Sequence, residues 1–334
     1  MRGTTCVRGR RVLALAVVVA VASAAPAAAD GRDQEIAFQS GRGLDPASNL
    51  QRIHRMDLDG SGVRPLLPDQ FDNSFDVAWS PDGDRFAFTS ILDPGYFELH
   101  VARADGTRIQ RLTVTGDVHD AGPAWFPSGD RLAFVSDRVE SDPTAFGPFD
   151  LYVMRLRPPF APFNVTNRPG NDCGCYEPAF IFAAPSVAPD GRRIAFTSDI
   201  AETDNFDVYV INRDGTGLRR LTTEPGIDAE PDWSPDGRTI AFHSDRDGDA
   251  ELYVMRRDGR GATQVTRNEG VKDVQPDWSP DGRRFAFTSD ASGNDDIWVI
   301  DTDGDDARQV TADPAVDERP AWRPRRVRAH HGDR

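Results

Sequence analysis

A short phrase that joins a tryptophan to turn residues recurs along this chain and restricts the folds open to it. The clearest copies are DWSPDGRTIAFHSD at 232–245 and DWSPDGRRFAFTSD at 277–290. Counting its variants, the phrase starts at six positions: Trp79, Trp125, Val187, Trp233, Trp278 and Trp322. The steps between them are 46, 62, 46, 45 and 44 residues. Near-regular steps of this size are typical of proteins in which each copy is one supersecondary unit.

Each copy predicts a hairpin. Ser-Pro-Asp-Gly supplies a type I turn, with Pro setting φ at the second position and Gly at the fourth. A strand centre of the form large-Ala-Phe follows the turn, and it occurs at Ile36-Ala37-Phe38, Phe86-Ala87-Phe88, Leu132-Ala133-Phe134, Ile194-Ala195-Phe196, Ile240-Ala241-Phe242 and Phe285-Ala286-Phe287. Large residues on one face and Ala on the other let neighbouring sheets approach closely.

Two more strands complete each copy. A second apolar strand follows, as in Leu252-Tyr253-Val254-Met255, then an Asp-Gly pair that predicts a two-residue hairpin, then a strand ending in Leu-Thr or Val-Thr. Four strands make one antiparallel sheet, and six such sheets must stack around an axis to bury both faces. The first copy lacks the Trp strand and the last copy stops after Trp322. We therefore predict an all-β, six-bladed β-propeller closed by the C-terminal strand joining the N-terminal blade.

The repeat P-x-W-S-P-D-G-x-x-[IF]-A-F-x-S-D resembles that of the TolB-like propeller family, also called PD40 or WD40-like, over roughly residues 34–324. This resemblance implies a periplasmic protein that binds a peptidoglycan-associated lipoprotein and receives peptides at one end of its channel. TolB also has an α/β domain ahead of its propeller, for which Ala29 to Gln34 leave no room. Similar repeats form the non-catalytic propellers of prolyl-oligopeptidase-type hydrolases, but no G-x-S-x-G occurs here.

Residues 1–29 predict a secretory signal peptide. Four arginines precede the apolar run VLALAVVVAVASAA, and small residues place the cleavage site near Ala29. We therefore expect an exported protein, periplasmic or extracellular, with no membrane span, a propeller over 30–324 and a basic, disordered tail over 325–334. The Arg10-Arg11 pair leaves the twin-arginine route open beside ordinary export.

The charge of the chain argues against nucleic acid as a partner. The predicted signal peptide holds four arginines and no acid, so its removal takes the formal net charge from −15 to about −19. A phosphate backbone repels such a surface.

An acidic position recurs five residues before the Trp. It is occupied by Asp120, Asp228, Asp273 and Asp317, and Glu230 follows in the fifth copy. In a propeller these residues are expected around one mouth of the channel. They could hydrogen-bond turn backbone or form an electronegative mouth for cationic groups.

Two insertions fall at the same predicted end of the propeller, at residues 138–149 and 167–184. They contribute aromatic side chains that give large contact area at low entropy cost: Phe146, Phe149, Tyr176, Phe180 and Phe182. The alternative is that these rings pack the loops onto their own blade. Cys173 and Cys175 are candidates for a disulfide in an oxidising compartment.

Signals for metals and catalysis are weak. Asp245, Asp247, Asp249 and Glu251 alternate as in a calcium loop, but the corresponding loops of other copies do not keep the pattern. The histidines form no dyad or metal pair in sequence, so we expect no cofactor.

The sequence thus predicts a monomeric, non-catalytic module that binds a protein or peptide of the cell envelope. The alternatives are an envelope hydrolase or lyase that acts on carbohydrate or peptide at the propeller mouth, and an adaptor that uses its flank.

Overall fold

A computed structural model describes residues 34–45, 50–91, 95–114, 118–139, 142–167, 184–201 and 205–324, with residues 139 and 142–147 described by their backbone alone. The predicted signal peptide, the predicted tail, Cys173, Cys175, Tyr176, Phe180 and Phe182 lie outside these residues. So does most of the second insertion.

The described strands form six four-stranded antiparallel sheets, which confirms the predicted six-bladed propeller. We name the strands of each blade A to D in sheet order. Blade 1 holds β24 (Asp317–Trp322), β1 (Glu35–Ser40), β2 (Arg52–Asp57) and β3 (Arg64–Pro65). Blade 2 holds β4 (Ser74–Trp79), β5 (Arg85–Ser90), β6 (Glu98–Arg103) and β7 (Gln110–Arg111). Blade 3 holds β8 (Asp120–Trp125), β9 (Arg131–Val139), β10 (Asp142–Arg155) and β11 (Phe163–Asn164).

The remaining three blades repeat this order. Blade 4 holds β12 (Ser186–Val187), β13 (Arg193–Ser198), β14 (Asp207–Asn212) and β15 (Arg219–Arg220). Blade 5 holds β16 (Asp228–Trp233), β17 (Thr239–Ser244), β18 (Glu251–Arg256) and β19 (Thr263–Gln264). Blade 6 holds β20 (Asp273–Trp278), β21 (Arg284–Ser289), β22 (Asp296–Asp301) and β23 (Arg308–Gln309). A 3₁₀ turn at Asp69–Phe71 precedes blade 2.

The ring closes as the sequence predicts. The last strand, β24, pairs antiparallel with β1, with Trp322 opposite Ile36 and Asp317 opposite Ser40. Blade 1 is therefore assembled from both ends of the propeller, and β1 is paired on both sides.

The large-Ala-Phe strand centres explain how the blades stack. Ala37 of blade 1 lies in one core cluster with Phe86 and Phe88 of blade 2, whereas Ile36 and Phe38 lie in another with Ala286 of blade 6. The other four interfaces repeat the arrangement. Each Ala therefore faces the two large residues of the next blade, because a small side chain leaves room for them.

Of the two kinds of turn that the sequence predicts, the structure confirms one and contradicts the other. In the Ser-Pro-Asp-Gly turn of blade 2, the Gly83 N–H donates to the Ser80 carbonyl at 2.8 Å, as a type I turn requires. The Asp-Gly turns were predicted as two-residue hairpins, which is wrong. In blade 1 the Asp57 N–H donates to the Ser61 carbonyl, so the loop has three residues. Its glycine, Gly60, has φ +83°, and a Cβ there would lie 2.3 Å from the Val310 carbonyl oxygen of blade 6.

The connections fall at two ends of the ring. The end with the Ser-Pro-Asp-Gly and Asp-Gly turns is called the turn end below. The other, the loop end, carries the strand B to C loops and the connections from strand D to the next strand A. Within the described ranges, no helix is long and apolar enough to cross a membrane.

Candidate binding site at the loop end

The four predicted aspartates begin strand A in their blades, and their side chains are buried. Asp120, Asp228, Asp273 and Asp317 are 0–1% exposed. Three of them pair with an arginine that lies two residues beyond the last serine of strand B in the same blade. Arg138 Nη2 lies 2.5 Å from Asp120 Oδ1, Arg246 Nη2 lies 2.7 Å from Asp228 Oδ1, and Arg42 pairs with Asp317.

Each of these arginines also lies over aromatic rings of its own blade. The Arg246 guanidinium carbon is 5.6 Å from the centre of the Phe242 ring and 4.9 Å from that of Tyr253. Burial raises the pKa of Asp120, and Arg138 opposes that shift. In three blades the aspartate is therefore compensated inside the blade and does not form an open negative surface. A direct role of the four aspartates in partner binding stays a prediction.

A bulge that the sequence analysis missed lines the channel. The third residue of strand A has positive φ, between 52° and 61°, in the five blades whose strand A is fully described: Asp76, Gly122, Glu230, Gln275 and Arg319. The pairing of strands A and B shifts register there. A proline follows the bulge residue in four of these blades, and proline in a paired strand is confined to edges and bulges. That signal could have predicted the bulge.

The bulges bring a charged cluster into the channel. Arg319 Nη1 lies 3.3 Å from Asp76 Oδ1, and its Nη2 lies 3.1 Å from Glu230 Oε1. His243 Nδ1 lies 3.3 Å from the other oxygen of Glu230. Arg319 belongs to blade 1 and Glu230 to blade 5, so this ion pair links blades that are not neighbours. The Asp76, Glu230 and Arg319 side chains are only 2%, 10% and 13% exposed.

The pKa directions agree with mutual compensation. Burial raises the pKa of Asp76, and Arg319 is the main opposing influence. For Glu230, burial also acts upward, but Arg319 and His243 outweigh it and hold the pKa below its ordinary value. The two carboxylates raise the pKa of Arg319 against the effect of its burial.

Blade 3 has a hairpin that projects beyond the loop end. Its strands B and C have 9 and 14 residues, whereas those strands have 6 residues in the other five blades. The added part of strand B, residues 137–139, extends it by about 10 Å at the usual rise per residue. Phe146 lies in this projection, opposite Arg138.

An aromatic cluster lies at the base of the projecting hairpin, between blades 2 and 3. The ring centres of Phe75 and Phe97 are 5.3 Å apart, and those of Phe97 and His119 are 4.6 Å apart. The predicted residue Phe149 packs into the same cluster and is partly exposed. The sequence analysis missed its blade 2 members, Phe75 and Phe97, although Phe97, Phe149 and Phe206 all directly precede an acidic residue of strand C, a pattern that could have identified Phe97.

The four carboxylates of the calcium-like pattern point to different partners. Asp245 Oδ1 accepts a hydrogen bond from the Ile227 N–H at 2.6 Å, and Asp249 Oδ2 accepts one from the Gly270 N–H at 2.6 Å. Asp247 bonds the Tyr253 hydroxyl, and Glu251 bonds Thr266 and Asn268. In the part of the chain that the structure describes, no three His, Cys, Asp or Glu side chains converge as a metal site requires. Calcium binding stays a prediction.

Two further carboxylates link blades near the tryptophans. Asp232 accepts hydrogen bonds from the Trp278 N–H and the Ser186 hydroxyl, both at 2.9 Å, and Asp277 accepts one from the Trp322 N–H at 2.7 Å. Burial raises the pKa of Asp232 to about 6. Burial and then the charge of Asp232 raise the pKa of Asp277.

Because burial raises the pKa of Asp232, we expect the stability of the protein to fall as the pH rises from about 4 to about 6. The folded pKa of Asp232 is above its unfolded value of about 3.9, so the unfolded chain releases the proton first and is favoured in that window. We expect Asp232→Asn to raise the free energy of unfolding at pH 8 by about 1–3 kcal/mol and to change it little at pH 4. Urea unfolding at both pH values measures this, with the exposed Glu224→Gln as control. An equal loss of stability at both pH values would contradict it.

Six stacked four-stranded blades closed by a shared blade make this protein a six-bladed β-propeller. Residues 176–275 match the sequence family described as PD40, TolB beta propeller domain. The chain thus has the fold of a TolB-like six-bladed propeller.

Known proteins resemble it in sequence or in structure. A stretch of 44 residues is 48% identical to the Tol-Pal system protein TolB of Anaeromyxobacter dehalogenans (strain 2CP-C), and it spans 13% of this chain and 10% of that protein. The crystal structure of TolB from Acinetobacter baumannii has a TM-score of 0.71 at 19% identity, over 89% of this chain and 68% of that one. A putative TolB from Agrobacterium tumefaciens has a TM-score of 0.59 at 21% identity, over 85% and 90%. At these identities the solved structures show the fold.

Proposed function

We propose that this chain is an exported, non-catalytic module that binds a protein or peptide of the cell envelope at its loop end, beside blade 3. The observation that carries the proposal is the hairpin of β9 and β10, whose strands continue past the position at which strands B and C of the five other blades end and begin. A projecting strand pair offers a partner both a wall and backbone hydrogen-bonding groups along its edge.

The base of this hairpin suits a protein partner. Phe75, Phe97 and Phe149 supply apolar contact area held by packing, so little side-chain entropy is lost on binding. Asp120 fixes Arg138, which lies within the projecting part of β9. The predicted aspartate therefore supports the site by anchoring the hairpin from below.

The charged cluster in the channel favours docking on the end of the ring. Asp76, Glu230 and Arg319 pair with one another in the channel at low exposure. Displacing them to thread a segment through the ring would leave buried charges uncompensated. A partner that contacts the loop end avoids this cost.

The likeness to TolB and the sequence of residues 1–29 support the envelope as the place of action. The relatives that match are named Tol-Pal system proteins, so a protein of an envelope complex is the class of partner we propose. Export would follow cleavage near Ala29.

The test is a hairpin exchange. Residues 137–149 are replaced by DRDGDA, the six residues 245–250 that connect the same strands in blade 5. This variant keeps an aspartate and an arginine at the first two loop positions, so the arginine can still pair with Asp120. The partner is identified beforehand by photo-crosslinking in the envelope from a benzoylphenylalanine at position 144. Its affinity is then measured with purified components, and we expect the exchange to weaken it at least about tenfold.

Two comparisons decide the outcome. A second crosslinker at Asp236, in an exposed turn at the turn end, reports contacts at the opposite end of the ring. Capture from position 144 with little capture from position 236 supports the proposal. A partner that binds the exchanged variant with unchanged affinity, or that crosslinks chiefly from position 236, contradicts it.

A further inference from the structure

We propose that blade 6 carries a receptor for an alkylguanidinium group, such as a partner's arginine side chain, in the cavity beside Asp273. This site lies in a different blade from the β9–β10 hairpin and does not depend on the function proposed above.

The comparison of the blades identifies the site. At the position two residues beyond the last serine of strand B, blades 1, 3 and 5 have Arg42, Arg138 and Arg246. In each blade this arginine bonds the first residue of strand A and covers the strand B phenylalanine. Blade 6 keeps the aspartate and the phenylalanine but has Ala291 in place of the arginine.

The two other blades have an apolar residue at this position. In blade 2 it is Leu92, which lies outside the described residues, and Phe71 packs edge-on against Phe88 and His100. Blade 4 has Ile200, which packs into the cluster that contains Phe196. Among the described residues, the first position of strand A in blade 2 is a serine, Ser74, so no carboxylate is left without a cation there.

Blade 6 instead has a cavity at this place. Its volume is about 370 Å³, and its lining in blade 6 runs from Asp273, Phe287, Ala291 and Trp298 to the turn that contains Asp303. The segment after strand D of blade 5, including Asn268 and Arg267, forms the facing wall, and the Arg267 guanidinium donates to the Gln264 carbonyl of the same segment. The space lies between two blades and is large enough for a guanidinium group and the methylene chain that carries it.

Unsatisfied polar atoms line the same space. Asp273 is 1% exposed, and neither carboxylate oxygen has a partner that meets hydrogen-bond geometry. Oδ1 of Asn268 and Nε1 of Trp298 are also buried without a hydrogen-bond partner. Ser289, Thr266 and Asn268 lie close enough to oppose the effect of burial, which raises the pKa of Asp273. No described cationic side chain forms an ion pair with Asp273.

The chemistry of the lining matches a guanidinium group better than an ammonium group. A planar guanidinium can bond both oxygens of one carboxylate and still stack on an aromatic face. Asp273 supplies the carboxylate, Phe287 the face, and Asn268 Oδ1 a further acceptor. The chain itself uses this combination in blade 5, where Arg246 bonds Asp228 and covers Phe242. Leaving a buried carboxylate uncompensated is costly, so binding a cation gains what the missing arginine would supply.

The experiment measures binding of two probes to the mature protein by isothermal titration calorimetry. N-acetyl-L-arginine methylamide represents an arginine within a protein, and agmatine represents a free guanidinium compound. The matched controls are N-acetyl-L-citrulline methylamide, which is neutral, and N-acetyl-L-lysine methylamide. We expect one site per chain for the arginine amide. The citrulline and lysine compounds should bind at least about tenfold more weakly than the arginine amide. Binding of the arginine amide alone indicates a protein partner, whereas binding of both probes indicates that free guanidinium compounds are accepted; either result supports the site.

Two variants remove the site in different ways. Asp273→Asn should weaken binding at least about tenfold because the carboxylate is lost. Ala291→Arg should abolish binding and raise the melting temperature, because the new side chain fills the cavity and pairs with Asp273 as in the other blades. Unchanged binding to Ala291→Arg, no binding of either guanidinium probe to the wild type at 10 mM (about the weakest affinity worth assigning), or equal binding of the lysine compound would overturn the proposal.

A matched variant in blade 5 tests the same idea in reverse. Arg246→Ala opens the corresponding space beside Asp228, so the stoichiometry for agmatine should rise from one to two, with the melting temperature partly restored by the probe. If the stoichiometry stays at one, the absence of an arginine at the position of Arg246 and Ala291 is not what creates the binding site.

Discussion

Replacing Arg319 by methionine is expected to destabilise the propeller by about 3–5 kcal/mol, because it leaves two buried carboxylates without their cation. Methionine keeps much of the length of the arginine stem, so the change removes charge more than volume. Asp76 and Glu230 would then be held at low exposure, and Glu230 would keep His243 and Gln275 as partners. Urea unfolding at pH 8, followed by circular dichroism, measures the loss.

A pH dependence distinguishes lost charge from lost packing. Without Arg319 the pKa of Glu230 should rise above its unfolded value of about 4.3, so part of the loss should disappear as the pH falls to about 4. The variant is thus expected to be closer to the wild type at pH 4 than at pH 8. A loss of stability that is equal at both pH values would mean that it comes from the lost contacts of the guanidinium group. The uncompensated charges of Asp76 and Glu230 would then not be its cause.

Two further variants serve as controls for this cluster. Adding Asp76→Asn and Glu230→Gln to Arg319→Met removes all three charges and should recover most of the lost stability. Arg238→Met, which changes an arginine that is 84% exposed, should cost less than about 0.5 kcal/mol. If the triple variant is as unstable as the single one, mutual compensation is not the reason that the cluster holds.

Much of the fold is determined by short continuous segments within each copy, and the sequence predicts it for that reason. The Ser-Pro-Asp-Gly turn and the large-Ala-Phe strand centre are continuous segments, and their roles depend on φ preferences and on side-chain size. Ring closure is also readable, because the first copy lacks strand A and the last copy consists of little else. The Asp-Gly loops were misjudged, since the residue before each Asp-Gly pair also belongs to the loop, and the bulges in strand A were missed.

The candidate sites are less readable because they join residues that are distant in sequence. Arg319 and Asp76 come into contact only after blade 1 has closed. No sequence pattern near either residue predicts this ion pair. The arginine partners of the strand A aspartates follow a local pattern, a serine and then an arginine two residues later, but their pairing needs the blade register. The cavity at Ala291 becomes visible only when the blades are compared in three dimensions.

Removing strand A of blade 1 is expected to abolish cooperative folding. A chain that ends at Val316 loses β24, and with it Trp322, Arg319 and the pairing along β1. The ion cluster and the contacts between blades 6, 1 and 2 are lost together. We expect the free energy lost with them to exceed the roughly 5–15 kcal/mol by which a typical domain is stable. The unpaired edge of β1 should also promote aggregation. Calorimetry and size-exclusion chromatography measure both effects, and a chain that ends at Pro324 is the control because it keeps all of β24.

A circular permutant tests whether closure itself explains that loss. In the other blades six residues separate the Trp of strand A from the first large residue of strand B, as between Trp79 and Phe86. Joining Pro324 to Gln34 through Asp-Gly gives the same spacing, and Arg-Pro-Asp-Gly then mimics Ser-Pro-Asp-Gly. The new ends lie between Pro314 and Ala315, in a connection at the loop end. This permutant should unfold cooperatively, within about 1–2 kcal/mol of the original chain, since every blade is then one continuous segment. If it fails to fold while the chain that ends at Pro324 folds, the pairing of β24 with β1 is not enough to explain how the ring is held.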